Sequence, residues 1–393
     1  MTQNGFGTPP IFSNLHKKIV TVLRSETYQA IMIHLGIIIR FLQAVKGNPE
    51  KRGKEKEFAD LWKQLNNCIN ELESTRIADI NSILMQYMYY IRTVNKETIS
   101  ETGAINVTTP GLRRYFTEVN KMPITDPIGM CSDMVKLVKV WKKVSEYPQM
   151  KVLLKFNENT KLFLASYFFR FDEDNITEEL VEPILECLLR LFSLLELVDV
   201  GYSSKYFKTF LFGAEVKLVS KSTTVDAITQ DFNEHIRSNW DKETIWAALH
   251  DYDGNVLVYL NEFLFAKEKG LSFTLGTKYD IEHIMPYSGN NLQEIRKDAE
   301  IDSEEEFYGV VNKLGNKILL EEKINRAIGN EWFRTKVSTK LENKTGYIDS
   351  KYPIARALVS KYQSANKPYW KKDDIMSTTD KASDRIVSFI FGE

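Results

Sequence analysis

Residues 178–198 read EELVEPILECLLRLFSLLELV, and this run narrows the choice of fold more than any other. Its apolar side chains recur at every helical turn and cover most of the circumference, so the helix has to be enclosed on most sides by other structure. Segments 15–46, 57–73, 77–94, 131–146 and 159–171 carry apolar residues at the same helical spacing and supply that enclosure. The first ends at Gly47-Asn48-Pro49, a stop signal. The charged run 50–57 reads as a solvated loop or helix start, and 99–112, rich in Thr, Gly and β-branched residues, as a loop.

The texture becomes mixed over 198–227, where a boundary is expected between a helical domain, 1–227, and a second domain, 228–393. In the second part 228–239 and 254–268 read as helices, while 271–286 alternates like a pair of strands that Pro286 closes. Ser303 followed by Glu306 is a capping box and predicts a helix over 304–313, stopped by Gly315. Lys317–Leu320 is a short apolar run, and a helix is expected from about Glu321 to Leu341. The expected fold class is mainly α, with a large helical domain beside a small α+β core at about 278–341.

Composition excludes some classes. At 43% hydrophobic and 27% charged, the chain can bury a sizeable core and is not a disordered polymer. The 52 Lys+Arg against 53 Asp+Glu exclude a wholesale basic nucleic-acid binder and leave room for a local patch. Such a patch is visible: 291–306 carries a net charge of −5 and 311–372 one of +9. Cys68, Cys131 and Cys187 are far apart and form no CxxC pair, which predicts neither a disulfide framework nor a structural zinc site. No signal peptide is visible, and Ala30–Val45, with His34, Arg40 and Gln43, is too short and too polar to span a bilayer. A soluble, cytoplasmic chain with no membrane partner is the expectation.

Of the five histidines, His16, His34, His235 and His250 lie in helical stretches and read as packed or surface residues. His283 stands apart. It follows Glu282 at the end of a strand, in DIEHIMP, and is succeeded by LGNKILLEEKIN and RAIGNEWFRTK. Taken singly, these residues also suit a buried histidine beside a surface acid, with asparagines as turn and cap residues.

In order and spacing, the series Glu282-His283-Ile284 with Pro286, Gly315-Asn316 with Leu319-Leu320, Asn325, and Phe333 with Lys336 resembles the HNH (ββα-metal) nuclease superfamily. More narrowly, it resembles the C-terminal HNH domain of GmrSD-type modification-dependent restriction enzymes and of the nickases of phosphorothioate-linked phage defence. Trp370, Ile375 and Arg385 continue the pattern. The resemblance implies a ββα nuclease core that hydrolyses DNA, one strand per site, in defence against phage or modified DNA. It implies His283 as general base, Asn316 as the residue that orients it, and Glu282 and Asn325 as ligands of Mg²⁺, with Mn²⁺ as a substitute. Lys336, Arg326 and Arg334 would contact phosphate. A neutral imidazole suits proton transfer near pH 7, and oxygen donors suit Mg²⁺. Related full-length proteins carry a nucleotide-hydrolysing domain with a DGQQR-like motif. Neither that motif nor GxxxxGK[ST] occurs here, so that domain would be a missing region or a separate partner.

Two alternatives remain at this level: a non-catalytic helical DNA- or protein-binding module with a vestigial site, and an RNA-cleaving toxin of the same fold. Adjacent strand residues point to opposite faces, so Glu282 and His283 share a site only if the strand ends or bulges there. The aromatic groups at 87–90, 167–171 and 206–207 suit either base stacking or helix packing, the latter better at helical spacing.

Overall fold

The computed structural model describes residues 54–73, 78–103, 111–156, 159–197, 204–220, 222–338, 345–365 and 367–393. The helix expected over 15–46, with His16 and His34, lies outside these residues. The described part is mainly helical with one small sheet. Its helices are α1 (Lys54–Glu73), α2 (Ile80–Val94), α3 (Pro127–Val144), α4 (Pro148–Leu153), α5 (Asn159–Phe168), α6 (Glu178–Leu197), α7 (Ser204–Val219), α8 (Val225–Asn239), α9 (Lys242–Asp251) and α10 (Val256–Glu268). Strand β1 (Tyr279–His283) follows, then α11 (Leu292–Asp298), α12 (Glu304–Val311), β2 (Lys317–Glu321), α13 (Glu322–Ile328), α14 (Phe333–Lys336), α15 (Pro353–Ala365) and α16 (Lys372–Phe391). Among the described residues no helix is long and apolar enough to cross a membrane.

Local chemistry sets several boundaries. Asp79, Thr224, Asp241 and Ser303 each accept a hydrogen bond from a backbone N–H in the first turn of the helix that follows, as N-caps do. Two expectations are corrected. Residues 271–286 hold one strand, not two, and its partner is the distant β2. The helix expected from Glu321 to Leu341 is broken: α13 stops at Gly329, whose φ of +55° is a backbone state glycine adopts without a Cβ clash. The mixed segment 198–227 contains a full helix, α7, whose apolar residues spread around the barrel without a clear face.

The buried apolar residues form two clusters. The larger draws on residues from Phe58 to Phe391 and encloses α6, whose Leu185, Leu188, Leu189 and Phe192 are all sealed. Between α2 and α3 the Trp141 indole N–H donates to Gln86 Oε1 at 2.7 Å, both side chains fully buried. The smaller cluster gathers Ile284, Met285, Ile295, Phe307, Ile318, Leu320, Phe333, Tyr347 and Trp370, among others. The β1–β2 hairpin stands between them. Tyr279, Ile281 and Leu319 face the larger cluster, while Ile318 and Leu320 face the smaller. Helix α16 joins the two, with Ile375 in the smaller and Ile386 and Ile390 in the larger.

A buried acid ties α10 to α15. Glu262 is fully buried, and its carboxyl Oε1 accepts the Ile354 N–H at 2.8 Å at the start of α15. Burial pushes its pKa up to about 8. The folded chain therefore holds a proton that the unfolded chain releases near pH 4.5. This group's contribution is full below about pH 4.5 and declines as pH rises toward 8. At about 1.4 kcal/mol per pH unit of displacement, the effect amounts to several kcal/mol. Glu262→Gln keeps the acceptor and removes the titration. Thermal melts should show it near wild type at pH 5, more stable than wild type above pH 8, and flatter across the interval.

Candidate functional site

In antiparallel pairing, directly opposed residues share a face. The register pairs Asp280 with Leu320, Glu282 with Ile318 and His283 with Lys317. Asp280 and Glu282 therefore lie on the smaller-cluster face and His283 on the other. No bulge interrupts β1, so the strand's period of two separates Glu282 from His283.

His283 is half-buried at the end of β1. Its Nε2 lies 3.2 Å from the Asn312 side-chain oxygen. An amide oxygen only accepts, so Nε2 carries the proton and Nδ1 is the basic nitrogen. Burial pushes the imidazole below its ordinary pKa; the Asn312 hydrogen bond opposes this, and the Lys317 and Lys336 charges reinforce it. The ring is therefore neutral at pH 7. Lys317 is itself anchored, donating to the Gly254 carbonyl and to Asn255 Oδ1 at 3.1 Å each, and to the Asp253 carbonyl.

The turn after His283 is held by Asn316. Its side chain accepts the Met285 N–H at 2.8 Å and donates to the Met285 carbonyl at 3.0 Å and the Val311 carbonyl at 2.8 Å. Its own carbonyl accepts the Ile284 N–H at 2.9 Å. The glycine before it has a steric reason: a Cβ on Gly315 would lie 2.3 Å from the Thr379 nitrogen and 2.4 Å from the Ile375 carbonyl oxygen, inside α16. Gly315-Asn316 thus lets α16 approach while it fastens the end of β1 to the start of β2.

Glu282 is 6% exposed and Lys336 1%. The Lys336 ammonium is ion-paired with the Glu282 carboxylate and also donates to the carbonyls of His283 at 2.8 Å and Ile284 at 3.1 Å. The Tyr347 hydroxyl donates to the same carboxylate at 3.2 Å. Burial pushes the carboxyl up and the ammonium down, and their mutual attraction opposes both shifts. Two expectations do not fit this arrangement. Glu282 is turned away from His283, with its carboxylate already engaged. Lys336 is a buried clamp on the backbone of the His283 turn and has no surface to offer a phosphate.

Asn325, on α13, is half-buried and donates to Asp280 Oδ2 at 3.0 Å. The amide nitrogen of Asn325, not its oxygen, faces the carboxylate, and Asp280 shares the Glu282 face of β1, opposite His283. Glu321 is not part of the pair; it accepts the Ser350 hydroxyl and the Lys351 N–H, each at 2.8 Å. Among the described residues no group of three His, Cys, Asp or Glu side chains converges in a metal-binding arrangement. Arg326 and Arg334 are exposed, the first ion-paired with Glu322 and the second 5.7 Å from the centre of the Trp332 ring.

Asp280, Asn312 and Tyr347 escape sequence reading. Asp280 had a signal, since the spacing D-x-E places it on the Glu282 face. Asn312 and Tyr347 had none, because only the fold brings them near. His235 and His250 are packed on aromatic rings, on Phe210 at 3.8 Å and Trp246 at 5.2 Å.

Residues 223–382 match the family model of the C-terminal domain of GmrSD restriction endonucleases. The matched stretch contains both strands, His283, Asn316, Asn325 and most of α16, and it supports the resemblance carried by the EHI–GN–N series. No curated protein and no solved structure matches the chain.

Removing one member of the Glu282–Lys336 pair leaves a buried charge without its partner, which costs about 3–5 kcal/mol. Urea unfolding should show Lys336→Met destabilised by that order. The double variant Glu282→Gln/Lys336→Met should recover most of the loss. A Lys336→Met midpoint equal to wild type would contradict the clamp.

Proposed function

We propose that this chain is an HNH-type DNA endonuclease in which His283 is the general base. The observation that carries the reading is a half-buried, neutral His283 on a turn stapled by Asn316, within a stretch similar to a restriction-endonuclease domain. In this reading Asn312 fixes the tautomer, and Nδ1 takes the proton from the attacking water. Exposed Arg326 and Arg334 contact the phosphate backbone, as cations on a nucleic-acid path do.

Mg²⁺ dependence, with Mn²⁺ as a substitute, belongs to the same proposal. Asn325, the expected ligand that is left half-buried, would hold the ion; its hydrogen-bond partner Asp280 shares the Glu282 face of β1, opposite His283, and is no better placed than Glu282. When bound, such an ion polarises the phosphoryl group and stabilises the leaving 3′ oxygen. One site acts on one strand, so the product is a nick, and restriction of phage or modified DNA is the setting proposed. A separate nucleotide-hydrolysing domain or partner is part of that proposal. The second reading, a non-catalytic binding module, draws its support from the engaged Glu282 carboxylate.

Nicking of supercoiled plasmid separates the two. His283→Ala should slow nicking by about 10²-fold or more while its thermal melt stays at wild type, since general-base catalysis contributes on that scale. Wild-type rate should rise with pH through an apparent pKa below about 6.5 and then level off, because burial lowers the imidazole pKa. Asn325→Ala should raise the Mg²⁺ concentration needed for half-maximal rate. Equal nicking by His283→Ala, or nicking that persists in EDTA, would overturn the corresponding assignment. Absence of metal-dependent nicking by wild type would favour the binding module.

A further inference from the structure

The surface beside His283 carries two aromatic side chains that the roles above leave without a task. Tyr287 and Tyr308 are 47% and 56% exposed. The Tyr287 ring lies 6.1 Å from the His283 ring and 6.1 Å from the Tyr308 ring, the two tyrosines tilted by 55°. Phe307, which is buried, underlies both. It meets Tyr308 edge-on at 5.3 Å and Tyr287 at 6.4 Å, and the Arg296 guanidinium lies 5.3 Å from its ring centre. The two tyrosine rings are thus supported from below and open to solvent outward.

We propose that Tyr287 and Tyr308 form a stacking cleft for one unstacked nucleobase of the substrate strand, next to the bond that His283 attacks. This rests on the nuclease reading of His283 and adds to it that the target nucleotide is single-stranded or displaced from its duplex. The tilt between the rings makes a wedge rather than a flat shelf. A wedge takes the face of one base against one ring and its edge against the other. An intact duplex offers no free base face, so the base must leave the stack. The Tyr287 ring, 6.1 Å from that of His283, is within reach of a base at or beside the cut. Three acids open α12, and of these Glu305 is exposed to solvent. Of the acids that open α12, Glu304 lies 4.0 Å from Arg296 and Glu306 is ion-paired with Lys372. The charged groups that act on His283 are Lys317 and Lys336.

Fluorescence anisotropy in EDTA tests the cleft without cleavage. The probes are a short labelled single strand, its duplex, and copies of the strand with one abasic position moved along it. Tyr287→Ala and Tyr308→Ala should each weaken single-strand binding about tenfold and change duplex binding less than about twofold, while the Phe variants bind like wild type. One abasic position should weaken wild-type binding, and the Ala variants should lose that sensitivity. Thermal melts should not change, because both rings are exposed. Ala variants that bind like wild type, or an abasic series without effect, would overturn the cleft. If those variants still nick plasmid in a His283-dependent way, the nuclease reading survives alone. If wild type neither binds the strand nor nicks plasmid, both fall.

Discussion

A two-residue period in a strand flanked by an apolar cluster on each face governs the site. The β1–β2 hairpin is flanked by two apolar clusters, so each residue of β1 is committed to one or the other. A slip of one residue would exchange every face at once and drive Ile281 and Leu319 out of their cluster. Register is therefore tightly specified, and with it the separation of Glu282 from His283. An acid placed on the interior face needs a partner there, and the Lys336 ammonium and Tyr347 hydroxyl provide it.

This changes what the motif residues mean. Gly315, Asn316, Glu282 and Lys336 look like chemistry when read as a pattern, yet in the fold they build the turn that presents His283. Gly315 admits α16 at a distance no Cβ would permit, Asn316 satisfies three backbone groups, and Lys336 gathers two carbonyls and a carboxylate. A pattern of residues thus marks a scaffold as much as a reaction, because the position of the basic nitrogen depends on the backbone that carries it.

The acidic segment between β1 and β2 has a comparable explanation. Glu300 and Glu306 are ion-paired with Lys371 and Lys372 at the start of α16, and the Glu306 carboxylate also accepts the Asp302 N–H at 3.1 Å. Two acids of this segment are thus directed toward the last helix, and α12 carries Phe307 and Tyr308 on the side of Tyr287. The ion pairs with exposed partners contribute little individually; their effect is to orient the helix.

The sequence by itself marked several helices with a repeating apolar face and, through Ser303, the start of α12, because capping and periodicity are local. It also carried the EHI–GN–N series at 282–325 and so marked His283. It did not reveal the helix 204–219, whose apolar residues form no clear stripe, or the break at Gly329, which a backbone dihedral decides. Only the tertiary structure decided that Glu282 faces inward, that Lys336 is sealed, and that Asn312, Asp280 and Tyr347 stand beside motif residues. Those contacts join residues 29 to 65 positions apart, or turn on which strand face meets which cluster. Neither is written in the neighbours of a residue; both follow from how two apolar clusters close around one hairpin.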